Sequence, residues 1–201
     1  MHFDKLKTTV TNSYERERIP DNCYVEEMPA LPVSEALGDE FRSWCPAQAV
    51  VIGAPTGSGK TTYVAQILRA AQRCSAPRNV LYLCHRNAIS LQQKMALCKN
   101  AKSRWCEVSD IHAFDLTTDF PDIGLTVMTY QHFARACRDM DLSVFRWAIF
   151  DEAHFFFSDA LFNAELDKLL WKLPDLLRNA CRIYLSATCI SSTMMGMGAF
   201  L

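Results

Sequence analysis

The sequence predicts an α/β domain: a parallel β-sheet flanked by helices on both faces. Three observations carry that expectation. Short apolar runs recur at residues 49–54, 80–84, 125–129, 147–150 and 182–186, each of strand length. Most are apolar throughout instead of alternating with polar residues, as expected of strands covered on both faces. Between them lie amphipathic segments at 60–73, 87–99, 131–139 and 159–173, so strand and helix alternate along the chain.

In chain order, residues 1–33 come first: a polar, acidic stretch with Pro20, Pro29 and Pro32 and no sustained period. It is expected to form an irregular N-terminal extension. The domain itself is expected over 34–190. The stretch 106–124 is acidic and is expected to hold a short extra strand and a loop. Pro174 is expected to end or kink the last helix, because proline removes a helical hydrogen-bond donor. Residues 191–201 are expected to begin a connection to a further lobe, or to fray.

Composition bounds the class. The chain has 201 residues, 50% apolar and 21% charged, which is ordinary for a globular domain. The net charge of −1 predicts no polyanion partner by itself. Its distribution says more, because residues 41–106 hold ten Lys or Arg and no Asp or Glu. Such a block sets up a local positive field that attracts phosphates. The nine cysteines include no Cys-x-x-Cys pair, so neither a structural zinc site nor a disulfide framework is expected. With no apolar N-terminal leader and no apolar run near the ~20 residues that span a bilayer, a soluble cytoplasmic protein without membrane contact is expected.

The strongest chemical signal is Ala54-Pro55-Thr56-Gly57-Ser58-Gly59-Lys60-Thr61-Thr62. It fits the phosphate-loop spacing G-x-x-x-x-G-K-[ST], with Ala54 in the first glycine position. A predicted strand precedes it and a predicted helix follows. Gly57 and Gly59 permit backbone conformations that aim several N–H groups at an anion, and the helix N-terminus adds partial positive charge. Lys60 is expected to reach the β- and γ-phosphates of ATP, and the Thr61 hydroxyl to ligate Mg2+.

A second acidic site is needed, and Asp151-Glu152-Ala153-His154 supplies it directly after an apolar run. Carboxylates at the C-terminal edge of a buried strand sit where ligands bind in open parallel sheets. Asp151 is expected to hold the metal, and Glu152 to orient and polarise the attacking water.

These motifs, with Ser186-Ala187-Thr188, resemble motifs one, two and three of superfamily-two DEAD/DEAH-box helicases, in the same order. Cys84-His85-Arg86-Asn87-Ala88 and Thr129-Tyr130-Gln131 resemble the family's motifs Ia and Ib. The resemblance covers roughly 34–190 and implies the first of two RecA-like lobes. It implies that His154, Ser186 and Thr188 couple hydrolysis to the nucleic-acid side. It implies that His85, Arg86, Thr129 and Gln131 lie near the backbone of a bound DNA or RNA strand, single-stranded by expectation.

The resemblance also implies a second lobe, which in this family brings arginine fingers to the γ-phosphate. Without one, the chain alone is expected to hydrolyse ATP slowly. No upstream glutamine motif of the DEAD-box kind is apparent. Two alternatives stand beside the motor reading: a nucleotide-dependent module that binds nucleic acid or protein without hydrolysis, and another class of phosphate-loop ATPase.

Overall fold

All five apolar runs form strands. In chain order the strands are β1 (Leu6–Thr9), β2 (Cys23–Glu26), β3 (Ala49–Gly53), β4 (Asn79–Cys84), β5 (Thr118–Phe120), β6 (Leu125–Thr129), β7 (Phe145–Phe150) and β8 (Cys181–Ser186). The structure, a computed structural model, describes residues 6–9, 23–26, 31–73, 79–85, 97, 118–120 and 124–187. Among these, the strands make one sheet in the order β2-β1-β3-β8-β7-β4-β6-β5. The central five, β3-β8-β7-β4-β6, are all parallel. Only β5 runs antiparallel, against β6, and it is the short extra strand expected within 106–124.

The N-terminal stretch is not wholly irregular, as the sequence suggested. Its β1 pairs parallel with β3, and β2 pairs parallel with β1, so both extend the sheet at one edge. Four-residue strands are too short to show a period, which is why the pattern did not reveal them.

The helices are α1 (Val33–Ala36), α2 (Lys60–Gln72), α3 (Tyr130–Ala136), α4 (Ala153–Ala160) and α5 (Ala164–Leu176). The helix expected at 87–99 lies outside the described residues apart from Leu97. The helix expected at 159–173 is two helices. The first begins earlier, at Ala153, and the second starts afresh where Asn163 accepts hydrogen bonds from the N–H groups of Glu165 and Leu166. Such a side-chain cap satisfies helix-start donors and marks a new N-terminus. Pro174 does not stop α5, which runs on to Leu176. Proline so near the end forfeits a bond only in the last turn.

Each face of the sheet carries its own core, as fully apolar strands require. On one face Val50, Ile52, Val80, Tyr82, Trp147 and Ile183 pack with Tyr63, Val64, Ile67 and Leu68 of α2 and with Phe41 and Trp44. On the other, Val51, Leu81, Leu83, Phe150 and Tyr184 pack with α3, α4 and α5. In α5 the buried side chains are Leu166, Leu169, Leu170 and Leu173, the spacing of a single apolar stripe. Helices on both faces of a largely parallel sheet make this the α/β fold that the sequence predicts.

Candidate functional site

Because the central strands are parallel, their carboxyl ends open on one edge, and the motifs gather there. In the register, Gly53 at the end of β3 pairs with Ser186 at the end of β8. The Ala54 N–H, first of the glycine-rich loop, donates to the Ser186 carbonyl at 3.0 Å. β7 borders β8 on its other side, so the segment after β8 lies between the loop and the acidic pair.

The loop's geometry comes from its backbone. Gly57 and Gly59 hold φ of +81° and +87°, a region costly for any residue with a Cβ. Gly59 is also the N-cap of α2. A Cβ at Gly59 would meet nothing closer than 3.8 Å, so its requirement is one of conformation and not of space. The loop is braced from outside, where the Val33 N–H at the start of α1 donates to the Ser58 carbonyl at 2.8 Å.

Pro55, Thr56, Gly57 and Thr62 are exposed, whereas Ala54 and Lys60 are buried. Lys60 Nζ donates to the carbonyls of Ala54 at 2.7 Å and Pro55 at 3.0 Å. Burial lowers its proton affinity, and the charges of Glu152 and Asp151 partly restore it. A buried ammonium held by its own loop's carbonyls, with two carboxylates acting on it, fits an anionic ligand accompanied by a cation.

Asp151 is buried and continues the β7–β4 pairing, its N–H donating to the Leu83 carbonyl at 2.8 Å. Burial pushes its carboxyl above the usual range; the neighbouring Tyr82 hydroxyl and Lys60 oppose the shift, and Glu152 adds to it. Among the described residues the Tyr82 hydroxyl completes no hydrogen bond of good geometry. A desolvated carboxylate of this kind suits a hard cation, which would replace the lost water with positive charge. Beneath it, the Tyr130 hydroxyl donates to the Asp151 carbonyl at 2.5 Å.

Glu152 sits at φ +50° and ψ +52° as the N-cap of α4, a left-handed conformation rare outside glycine. This sharp turn sends the chain from β7 into the helix. The Glu152 carboxylate lies 3.4 Å from His154 Nδ1 and 3.5 Å from the Ala187 N–H. His154 Nδ1 is 3.0 Å from Ser186 Oγ, and Ser186 is fully buried. His154 and Ser186 are therefore brought together as a link between β7 and β8. Thr188 lies outside the described residues.

Among the residues expected near a nucleic-acid backbone, His85 and Gln131 meet on one atom. His85 Nε2 is 3.1 Å and Gln131 Nε2 is 3.3 Å from Asp159 Oδ2. Thr129 is buried instead, and its hydroxyl caps α3 by accepting from the His132 N–H at 3.2 Å. Arg86 lies outside the described residues. Sequence reasoning missed Asp159, Tyr82 and Tyr130. Their neighbours are distant in sequence, and no local spacing signals them.

Comparison with known families agrees with the geometry. A family model described as DEAD/DEAH box helicase matches residues 40–195, most of the chain. No curated protein matches it.

Proposed function

Because the chain belongs to the DEAD/DEAH box helicase family, we propose that it is the ATP- and Mg2+-binding lobe of a DEAH-type motor acting on a nucleic-acid strand. The observation that carries this reading is the buried Lys60 ammonium resting on the Ala54 and Pro55 carbonyls under the influence of Asp151 and Glu152. The loop N–H groups and the α2 N-terminus receive the phosphates of ATP, and Lys60 turns from its loop carbonyls to the β- and γ-phosphates.

Thr61 and Asp151 hold Mg2+, which when bound supplies charge neutralisation at the phosphates. Glu152 accepts the proton of the attacking water, positioned by its contacts to His154 and the Ala187 N–H. His154 and Ser186, with Thr188, tie that water-activating end to the segment after β8. His85 and Gln131, with α3 fixed by its Thr129 cap, offer N–H groups to the strand's phosphates, and Arg86 adds its charge. Single-stranded DNA or RNA is the substrate class. A second RecA-like lobe supplies the arginine charge that one lobe lacks, worth about 10³–10⁵ in rate in related enzymes. No described helix is long and apolar enough to cross a membrane.

The test is magnesium-dependent nucleotide binding and hydrolysis by this chain and by Lys60→Ala, each with and without single-stranded DNA or RNA at low salt. Phosphate contacts weaken steeply with added ions, so the salt condition matters. Binding that Lys60→Ala reduces by about 30-fold or more, the scale of removing one partner of a buried charge pair, supports the reading. An unmodified chain that binds no magnesium–ATP overturns it.

A further inference from the structure

One helix touches both halves of the proposed site. α4 carries His154 in its first turn and Phe155 and Asp159 one turn apart, four residues being the spacing that puts side chains on one face. The Phe155 ring stacks on His85 with centroids 4.4 Å apart and planes 14° from parallel. It also lies 4.1 Å from the His154 ring. Phe155 thus separates the histidine that contacts Glu152 and Ser186 from the histidine that follows β4.

At the far end of α4, a single oxygen, Asp159 Oδ2, accepts from both His85 Nε2 and Gln131 Nε2. A carboxylate only accepts, so Nε2 of His85 carries the shared proton. The other ring nitrogen, Nδ1, is buried with no hydrogen-bond partner among the described residues, where Asp159 is the ring's polar anchor.

Resting on the functional reading above, we propose that Phe155 and Asp159 are positioning residues that couple strand binding at His85 and Gln131 to the hydrolytic end at Glu152 and His154. The physical basis is competition. A phosphate oxygen drawn to His85 competes with Asp159 Oδ2 for the one Nε2–H, because each N–H serves one acceptor well; the Gln131 amide has a second N–H to offer, so the competition centres on His85. Release of Asp159 frees one end of α4. The helix is a rigid rod, and Glu152 is its N-cap, so motion at Asp159 reaches the Glu152–His154 contact directly. The stacked Phe155 ring keeps the two histidines in register. Neither residue is among the groups proposed to hold ATP, and Asp159 meets the strand only as a competing acceptor, so the two act on the linkage between the sites.

The measurement is the affinity of this chain for a fluorescent ATP analogue with magnesium, with and without oligothymidylate or oligouridylate at low salt. The comparison is among the unmodified chain, Phe155→Leu, Asp159→Ala and Phe155→Tyr. The oligonucleotide is expected to shift the unmodified chain's nucleotide affinity by at least about fivefold, the lower end of ordinary coupling between sites. Phe155→Leu and Asp159→Ala are expected to bring that shift close to unity. Phe155→Leu keeps each ligand's separate affinity, Asp159→Ala keeps the nucleotide affinity but binds the oligonucleotide more tightly because its competing acceptor is gone, and Phe155→Tyr restores the coupling. A purely structural role would not yield lost coupling with intact nucleotide affinity.

Variants that retain the full shift overturn the inference and leave the functional reading standing. So does an unmodified chain that binds both ligands without any shift. Absence of nucleotide or oligonucleotide binding in the unmodified chain overturns the functional reading and, with it, the inference.

Discussion

The glycine-rich loop and α4 leave the same edge of the sheet, yet they fix their functional groups by different means. The loop is shaped by backbone: two glycines at positive φ, a carbonyl braced by Val33, and a lysine resting on its own chain five and six residues back. α4 is held by side chains from afar. His85 lies 74 residues from Asp159, Gln131 lies 28 from it, and Ser186 lies 32 from His154. Phe156, at the centre of α4, is fully buried against Tyr130 and Phe150. A backbone-shaped site can be written in eight consecutive residues. A site held by side chains exists only after the sheet has assembled.

Substitutions can break or sharpen that contrast. Glu152→Gln should slow hydrolysis most, by about 10²–10⁴-fold, the contribution of a positioned general base. Nucleotide binding should survive, because the loop does not depend on that carboxylate. Single-turnover kinetics beside equilibrium binding would separate the two, and an unchanged rate would remove Glu152 from its proposed role.

Phe156→Ala should cost about 3–5 kcal/mol of stability, as for other buried aromatics, while nucleotide affinity at temperatures well below melting stays close to normal. An affinity that falls as steeply as the stability would show that the loop leans on α4 after all. Denaturant unfolding and a nucleotide titration on the same sample decide it.

Gly59→Ala should reverse that pattern. Forcing an L residue to φ +87° costs about 1–2 kcal/mol, and any relaxation displaces the N–H groups proposed to meet phosphate. The expected result is a modest loss of stability with a larger loss of nucleotide affinity.

Asp151→Asn should give the smallest stability effect, with the opposite sign. Burial raises the Asp151 carboxyl above its unfolded value, so the folded state favours the protonated form. That preference contributes stability below the unfolded pKa and is lost as pH rises through the raised folded one. At neutral pH the ionised side chain therefore costs stability. The neutral amide should raise the melting temperature, by about 2–4 °C for each kcal/mol recovered in a domain of this size, while magnesium-dependent nucleotide binding falls. A melting temperature that drops instead would mean that the carboxylate is better satisfied in the fold than its burial indicates.

Much of the fold was legible in the chain. The apolar runs gave all five central strands to within two residues, because strands buried on both faces need no polar alternation to be recognised. The helix boundaries were less legible. Asn163 restarts a helix where the apolar stripe looked continuous, and Pro174 reads as a breaker although it lies in a last turn with little left to break. The edge strands β1 and β2 escaped because four residues carry no measurable period.

By itself the sequence determined the parallel α/β class, the phosphate-loop motif and the acidic pair after a buried strand. Each of these rests on local rules: residue type, spacing and backbone preference. Only the tertiary structure decided that Ser186 stands between loop and carboxylates, that Thr129 is spent on capping α3, and that His85 and Gln131 converge on Asp159. It also decided that Glu152 adopts a left-handed turn, an unfavourable local choice imposed where β7 must bend into α4. The reason is common to all of them. Strand order and side-chain contact are set by burying two apolar faces at once, and that condition belongs to the whole sheet and not to any window of the chain.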